Sequence, residues 1–438
     1  MIFPKGVQVA KVVSSCVASH YFFLTVDGCA YAWGRNEEKQ LGTGDDVNAY
    51  ELELVKLPAG ASKIVGGACG FHSSFLFGEN GDLYACGENT CGQLGLGSTT
   101  DCAEFKRVDF SRCGGEEDEE IKIIAVASGK DFTVACAKDG TTYSWGSPQY
   151  GQLGNGTEGK TLEKAGKESF AYRTSPGRVQ GVEKITQVAC GLNHTLAMDE
   201  EGRVYSWGFA GYGRLGLGQP KDQLEPMLIP LFSNEPAPPN PNIPAFAQRT
   251  QTKLRCSKIA CGTTCSYAIL REPFESLYFW GITKKAGEST TKPTLYDELQ
   301  ALKIRDVSVG VSSTICVSQV DDPMVITWGC SPTYGELGYG DKGPKSSTKV
   351  KEVDSLKHFN FPPTQQQLVA SGFASNFVLL DYKLNKKIVD AAPELKFQKE
   401  EDDVKPAAAA AGKKKAPAAA NNKKKKAKVQ ESSEEEED

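Results

Sequence analysis

Short runs of apolar and β-branched residues alternate with glycine-centred breaks along most of this chain. The pattern is clearest from Val188 to Gly218, VACGLNHTLAMDEEGRVYSWGFAGYGRLGLG. It reads as two strands joined by a Glu-Gly turn, then an aromatic-Gly step, then a glycine-rich loop. Runs of about four to six such residues bounded by Gly are strand signals. Glycine recurs too often for a helix. The stretch also repeats. Its Trp207-Gly208 step returns at Trp33, Trp145, Trp280 and Trp328, and as Cys86-Gly87. Its glycine loop returns as KQLGTG, GQLGLG, GQLGNG and GELGYG. Its CGLNHT step returns as CGFHSS, SGKDFT, CGTTCS, VGVSST and SGFASN, and in degenerate form as SCVASH.

A period of roughly 50 to 60 residues belongs to propeller blades and solenoids. Each unit predicts four antiparallel strands, the blade of a propeller, whose ring leaves only short, protected edges. Asp27-Gly28, Asn80-Gly81 and Asp139-Gly140 supply the positive φ of hairpin turns between the middle strands. Upstream steps at Cys16, Cys69, Ser128, Cys190, Cys261, Val309 and Ser371 predict seven units. The expected fold is therefore all-β, a seven-bladed β-propeller of four-stranded antiparallel blades over residues 1–381. Aromatic-Gly steps number only six, so the seventh unit is cut short after Leu380. Residues 1–9 are expected to close the ring beside residues 367–380. Trp33, Trp145, Trp207, Trp280 and Trp328 are expected to fill the spaces between blades.

Three insertions interrupt the repeat, at 116–120, 157–176 and 233–252. Strand alternation predicts that the second shares a face with the CGLNHT-type loops and that the other two lie opposite. From 382 to 438 the chain turns to Lys, Ala and Glu, which predicts a disordered tail. The net charge of -5 conceals basic blocks there, Lys413, Lys414 and Lys415, then Lys423, Lys424, Lys425 and Lys426. These read as a nuclear-import or anion-binding signal. Ser432 and Ser433, followed by acids, read as phosphorylation sites.

Catalytic chemistry is hard to assemble from these residues. There are four histidines, and His20, His72 and His194 are read as one repeated structural position. No secretory signal and no stretch of membrane-spanning length is visible. The 14 cysteines are then read as thiols, several of them small core residues before Gly. Cys256, Cys261 and Cys265 lack the paired spacing of a metal site. GYGRLG at Gly211 fits a dinucleotide-binding pattern, but the next residues, LGQPKDQLEP, are a Pro-interrupted loop rather than a helix. No cofactor, metal or small-molecule substrate is expected.

The CGLNHT-, YSWG- and GQLGLG-type steps resemble those of the regulator of chromosome condensation family. The resemblance runs from Val7 to Leu380. WGRNEEKQLGTGD, YSWGFAGYGRLG and SPTYGELGYGDKGPKSST look like the group of that family's second member, well beyond the generic repeat. That group is associated with small GTPases of the Rac, Ral and Arf groups, with centromeres and microtubules, and with mitosis. The family's Ran exchange factor uses polar and acidic residues in the CGLNHT-type loops. The matching residues here are Lys130, Asp131, Asn193, His194, Ser312 and Ser313, of which Asp131 alone is acidic.

The resemblance implies a non-enzymatic propeller scaffold that binds a small GTPase and a chromosomal or microtubule partner. It would act in the nucleus and cytoplasm, with chromosome or spindle association. The alternatives are an active guanine nucleotide exchange factor and a chromatin-binding module driven by the tail alone.

Overall fold

The structure, a computed structural model of the chain, describes residues 7–113, 120–162, 168–233, 254–272, 275–282, 289–319, 323–329, 332–340, 343–361 and 367–391. Six antiparallel sheets of four strands follow one another, over residues 9–54, 64–107, 123–178, 185–228, 255–295 and 304–352. Each is a blade, numbered here 1 to 6. The first strands of successive blades lie side by side, so they line the axis of the ring.

The expected count of seven four-stranded blades is corrected to six. The seventh copy of the upstream step forms only a two-stranded sheet, Val369–Ser371 with Asn376–Val378. The reason lies in its sequence: it has no aromatic-Gly step and no glycine loop, the features that build the third and fourth strands.

This small sheet bridges blades 6 and 1. Residues 1–6 lie outside the described residues, and Val9 pairs with Thr25 inside blade 1 rather than with residues 367–380. Contact across the gap is made by side chains and loops. Gln367 Oε1 accepts from Val12 N–H at 3.0 Å, and its Nε2 donates to Val12 O at 2.9 Å. Ser14 Oγ donates to Ser371 O at 2.8 Å. Phe377 stands edge-on to Tyr21 and Phe23, with centroids 4.9 and 5.6 Å away.

Blade faces are apolar on both sides because every blade has two neighbours. The strand His194–Asp199 is buried at all of its positions. At three junctions a tryptophan forms the centre. Trp145, Trp207 and Trp280 are fully buried. Their indole N–H groups donate to Gln93 O, Gln152 O and Arg214 O of the preceding blade at 2.7, 2.9 and 2.8 Å. Each carbonyl also accepts from a hydroxyl: Thr133, Thr195 or Ser266. Glycine is required opposite the ring. A Cβ on Gly154, at φ +64, would lie 2.8 Å from Trp207 Nε1.

Trp328 is also buried, whereas Trp33 is half-buried and donates to Tyr50 O within its own blade at 3.3 Å. No glycine loop precedes blade 1 to cover it.

The chain does not lose order at residue 382, as its composition suggested. A helix runs over Tyr382–Ala391. Asp381 Oδ1 accepts from the backbone N–H groups of Lys383 and Leu384, a capping arrangement. Buried Asn385 bonds to both backbone groups of Asn360.

Candidate partner-binding face

In each antiparallel blade the loop after the first strand and the glycine loop after the third emerge on the same side. The insertion expected on this side carries a hairpin, Lys160–Leu162 with Glu168–Phe170. Its far end returns to the loop face, where Tyr172 hydrogen-bonds Cys91 of blade 2.

The structure brings Lys130, Asp131 and Asn193 together on this face. The Lys130 backbone N–H donates to Leu192 O at 3.0 Å, tying the blade 3 loop to the blade 4 loop. The Lys130 ammonium lies 3.8 Å from Asp131. Burial raises the Asp131 carboxyl above the usual carboxylate range, with Lys130 opposing it. Ser312 stands apart, in blade 6, with its Oγ 3.4 Å from Glu336. Ser313 is buried beside Asn376.

His194 is also buried, and its role is in the ring. Its Nε2 lies 2.9 Å from Ser266 Oγ of blade 5, and the serine hydroxyl donates to Arg214 O. The imidazole Nε2 therefore carries the hydrogen. His20 repeats this at 2.7 Å from Ser74. Burial holds the His20 ring down at about 3 and His194 well below its ordinary range.

The expectation of three equivalent histidines is corrected. His20 and His194 pair with Gly34 and Gly208, but in blade 2 it is Ser73 that pairs with Gly87. His72 sits one residue earlier, at the place of Asp131 and Asn193. It bonds Glu88 at 2.9 Å, and that bond holds the Glu88 carboxyl low.

One exposed aromatic group on this face is not evident from the repeat. In the glycine loops, Gln40, Gln93 and Gln152 each close their own turn by accepting the N–H two residues back. Glu336 does the same with Tyr334. Blade 4 has Arg214 here, and a guanidinium has donors only. It donates instead to Gly211 O at 2.8 Å and Thr263 O at 2.9 Å. The turn adjusts by placing Tyr212 at φ +61, a region costly for a bulky residue. Tyr212 is 56% exposed. The guanidinium lies 4.8 Å from the Phe209 ring and 5.5 Å from that of Tyr212. Phe209 in turn packs on Tyr150 at 5.0 Å. Leu162 on the hairpin and Tyr334 in blade 6 are 75% and 77% exposed. The one signal in the sequence is Arg214 itself, standing where three sister loops have Gln.

Among the described residues no three His, Cys, Asp or Glu side chains are grouped to hold a metal ion. Burial raises the Cys16 and Cys136 thiols to about 12, so neither supplies a thiolate at neutral pH. Among the described residues no helix is long and apolar enough to cross a membrane. The blocks at 413–415 and 423–426, and Ser432 and Ser433, lie outside the described residues.

A ring of four-stranded antiparallel blades, each with a glycine loop on one face, is the architecture of a repeat propeller. The sequence matches the RCC1-like domain over residues 2–240. It is 37% identical over 406 residues to Protein RCC2 homolog of Danio rerio, covering 89% of this chain and 74% of that protein. It is 36% identical over 407 residues to Protein RCC2 of Homo sapiens, covering 89% and 71%. The chain belongs to the RCC1-like domain family. Its fold is similar to that of Prp20p from Saccharomyces cerevisiae, a crystal structure described with binding properties to Gsp1p and histones. There the TM-score is 0.58 at 20% identity, over 87% of this chain and 84% of that one.

Proposed function

We propose that this chain is a non-enzymatic scaffold that binds a small GTPase through the loop face of blades 3 and 4. The observation that carries this reading is the exposed Tyr212, backed by Phe209 and Tyr150 and by the buried Arg214 guanidinium. Tyrosine is among the residue types that dominate interface energetics. Strain at a bulky residue is also a feature of functional sites. Lys130 and Asp131 add a charged rim, and the hairpin adds Leu162. The similarity to Prp20p, described as binding the small GTPase Gsp1p, supports the class of partner.

The finer reading is a GTPase of the Rac, Ral or Arf group, with a chromosomal or microtubule partner. In it the lysine block at 423–426 directs nuclear entry, and Lys423–Lys426 replaced by Ala should leave the tagged protein cytoplasmic. An unchanged distribution would remove that role.

The binding test uses Arg214→Gln and Tyr212→Ala. Arg214→Gln restores the acceptor used by the sister loops but gives up the bond to Thr263 O of blade 5; with its melting temperature read alongside, it should weaken capture of the GTPase about tenfold or more by releasing Tyr212 from the guanidinium, as for loss of an interface hot spot. Tyr212→Ala should do the same. Capture that is unchanged by both variants sinks the assignment. A nucleotide-release assay over the same GTPase panel separates scaffold from exchange factor, since a scaffold leaves the release rate alone.

A further inference from the structure

The outer strands of the six blades carry a bulge at the same place. In blade 3 the strand Arg173–Arg178 pairs with Thr142–Gly146 through Tyr143↔Arg178, Ser144↔Gly177 and Gly146↔Arg173. Thr174, Ser175 and Pro176 therefore stand opposite Trp145 alone. The same register puts Glu51, Glu104, Glu225, Lys292 and Lys349 at the position of Ser175 in the other blades. All five are exposed.

This position meets the glycine loop of the preceding blade. A Cβ on Gly44 would lie 3.6 Å from Glu104 Oε1, and one on Gly156 would lie 3.0 Å from Glu225 Oε1. Ser175 takes the same seat, with its Oγ 3.6 Å from a Cβ on Gly97 of blade 2. Blades 1, 2 and 4 thus keep a carboxylate where blade 3 has a short, uncharged hydroxyl.

That hydroxyl opens the run Ser175-Pro176-Gly177-Arg178. Proline-directed protein kinases take a serine in extended backbone, with proline next and a basic residue third. Proline brings no N–H that the kinase cleft would have to satisfy. Ser-Pro steps stand at 147, 175 and 331, and only the one at 175 has a basic residue third. The chain has no Thr-Pro step.

The local geometry fits such a substrate. The strand is extended and outermost in its sheet, and the bulge leaves Ser175 outside the ladder. Ser175 is half-buried and Arg178 is exposed, whereas Ser147 is buried. The site also suits its product. The Arg173 guanidinium folds along the strand as far as Gly177, where it leaves no room for a Cβ. Among the described residues no carboxylate acts on it. A phosphate adds about 1.5–2 negative charges, which an arginine can pair by charge-assisted bonds.

We propose that Ser175 is a phosphorylation site for a proline-directed protein kinase, with ATP as the phosphoryl donor. The bond from Ser175 Oγ to the γ-phosphorus forms as that phosphorus parts from its bridging oxygen. ADP leaves, and the hydroxyl proton passes to the carboxylate base of the kinase. The modification gives blade 3 the negative charge that its sisters in blades 1, 2 and 4 carry permanently.

The experiment incubates the folded full chain with a cyclin-dependent kinase and ATP, and maps phosphate by tandem mass spectrometry. Ser175 should be modified. Arg178→Ala removes one charge-assisted contact with the kinase, so modification of Ser175 should slow at least about tenfold. Ser175→Glu copies the sister blades and should melt within about 1 °C of the parent. A Ser175 that stays unmodified overturns the proposal. So does modification that Arg178→Ala leaves at the parent rate, or a Ser175→Glu variant that melts several degrees lower, since the seat then cannot hold the charge.

Discussion

Replacing Trp207 with alanine empties the centre of the junction between blades 3 and 4. The ring is fully buried, and its N–H donates to Gln152 O at 2.9 Å. Truncating a large aromatic side chain in a core costs about 3–5 kcal/mol, of which about 1 kcal/mol is the hydrogen bond. The carbonyl is not orphaned, since Thr195 Oγ1 still donates to it at 3.2 Å. With an unfolding entropy of about 2.1 cal/mol/K per residue over roughly 395 residues, the loss lowers the melting temperature by about 4–6 °C. Trp33→Ala should cost about half as much, because Trp33 is half-buried and bonded within its own blade. Gly154 tests the junction from the other side. Gly154→Ala places a Cβ 2.8 Å from the indole nitrogen at φ +64. In the parent it carries both the clash and the left-handed backbone cost. In the Trp207→Ala background only the backbone cost remains, about 1–2 kcal/mol. The two changes should therefore couple by about 1 kcal/mol or more in a double-mutant cycle read by calorimetry and near-ultraviolet dichroism. Additive effects, or a Trp33→Ala loss as large as that of Trp207→Ala, would refute this account of blade packing.

The buried histidines predict a pH dependence. His20 is held down at about 3 and His194 well below its ordinary value, so the unfolded chain takes up protons first as pH falls. Stability should be complete above about pH 6.5 and decline below it, by about 4 kcal/mol in total between pH 7 and 5 for the two rings. His20→Gln with His194→Gln should flatten that decline in denaturant titrations at the two pH values. A parent equally stable at both would exclude it. At the ring closure, Phe377→Ala loses the edge-on contacts with Tyr21 and Phe23 and should cost about 1.5–3 kcal/mol. Limited proteolysis should then cut the C-terminal sheet first, and an unchanged cleavage pattern would show that the small sheet does not hold the ring.

Much of the fold is legible along the chain. Alternating apolar runs, Asx-Gly turns and the aromatic-Gly step are local signals, and local backbone preference is enough to define strands and hairpins. The repeat multiplies each signal, so the blade, its strand order and the burial of Trp145, Trp207 and Trp280 follow from the order of residues alone. The blade count does not. Seven upstream steps and six aromatic-Gly steps conflict, and the packing of Val369–Ser371 and Asn376–Val378 between blades 6 and 1 resolves the conflict. Order in Tyr382–Ala391 is equally hidden, because the polar composition says nothing of Asn385 reaching Asn360.

The candidate site divides in the same way. Sequence alone placed the polar candidates on repeated loops and read His20, His72 and His194 as one position, which the pairing of Ser73 rather than His72 with Gly87 corrects. Only the tertiary structure decided which of those side chains meet solvent. His194 and Ser313 turn inward, while Tyr212 meets solvent above the buried Arg214. The same holds between blades 5 and 6, where Lys258 donates to buried Asp306 although 48 residues separate them in sequence. A propeller converts sequence period into angular position, but the balance of donors, acceptors and charges between neighbouring blades exists only once the ring is closed.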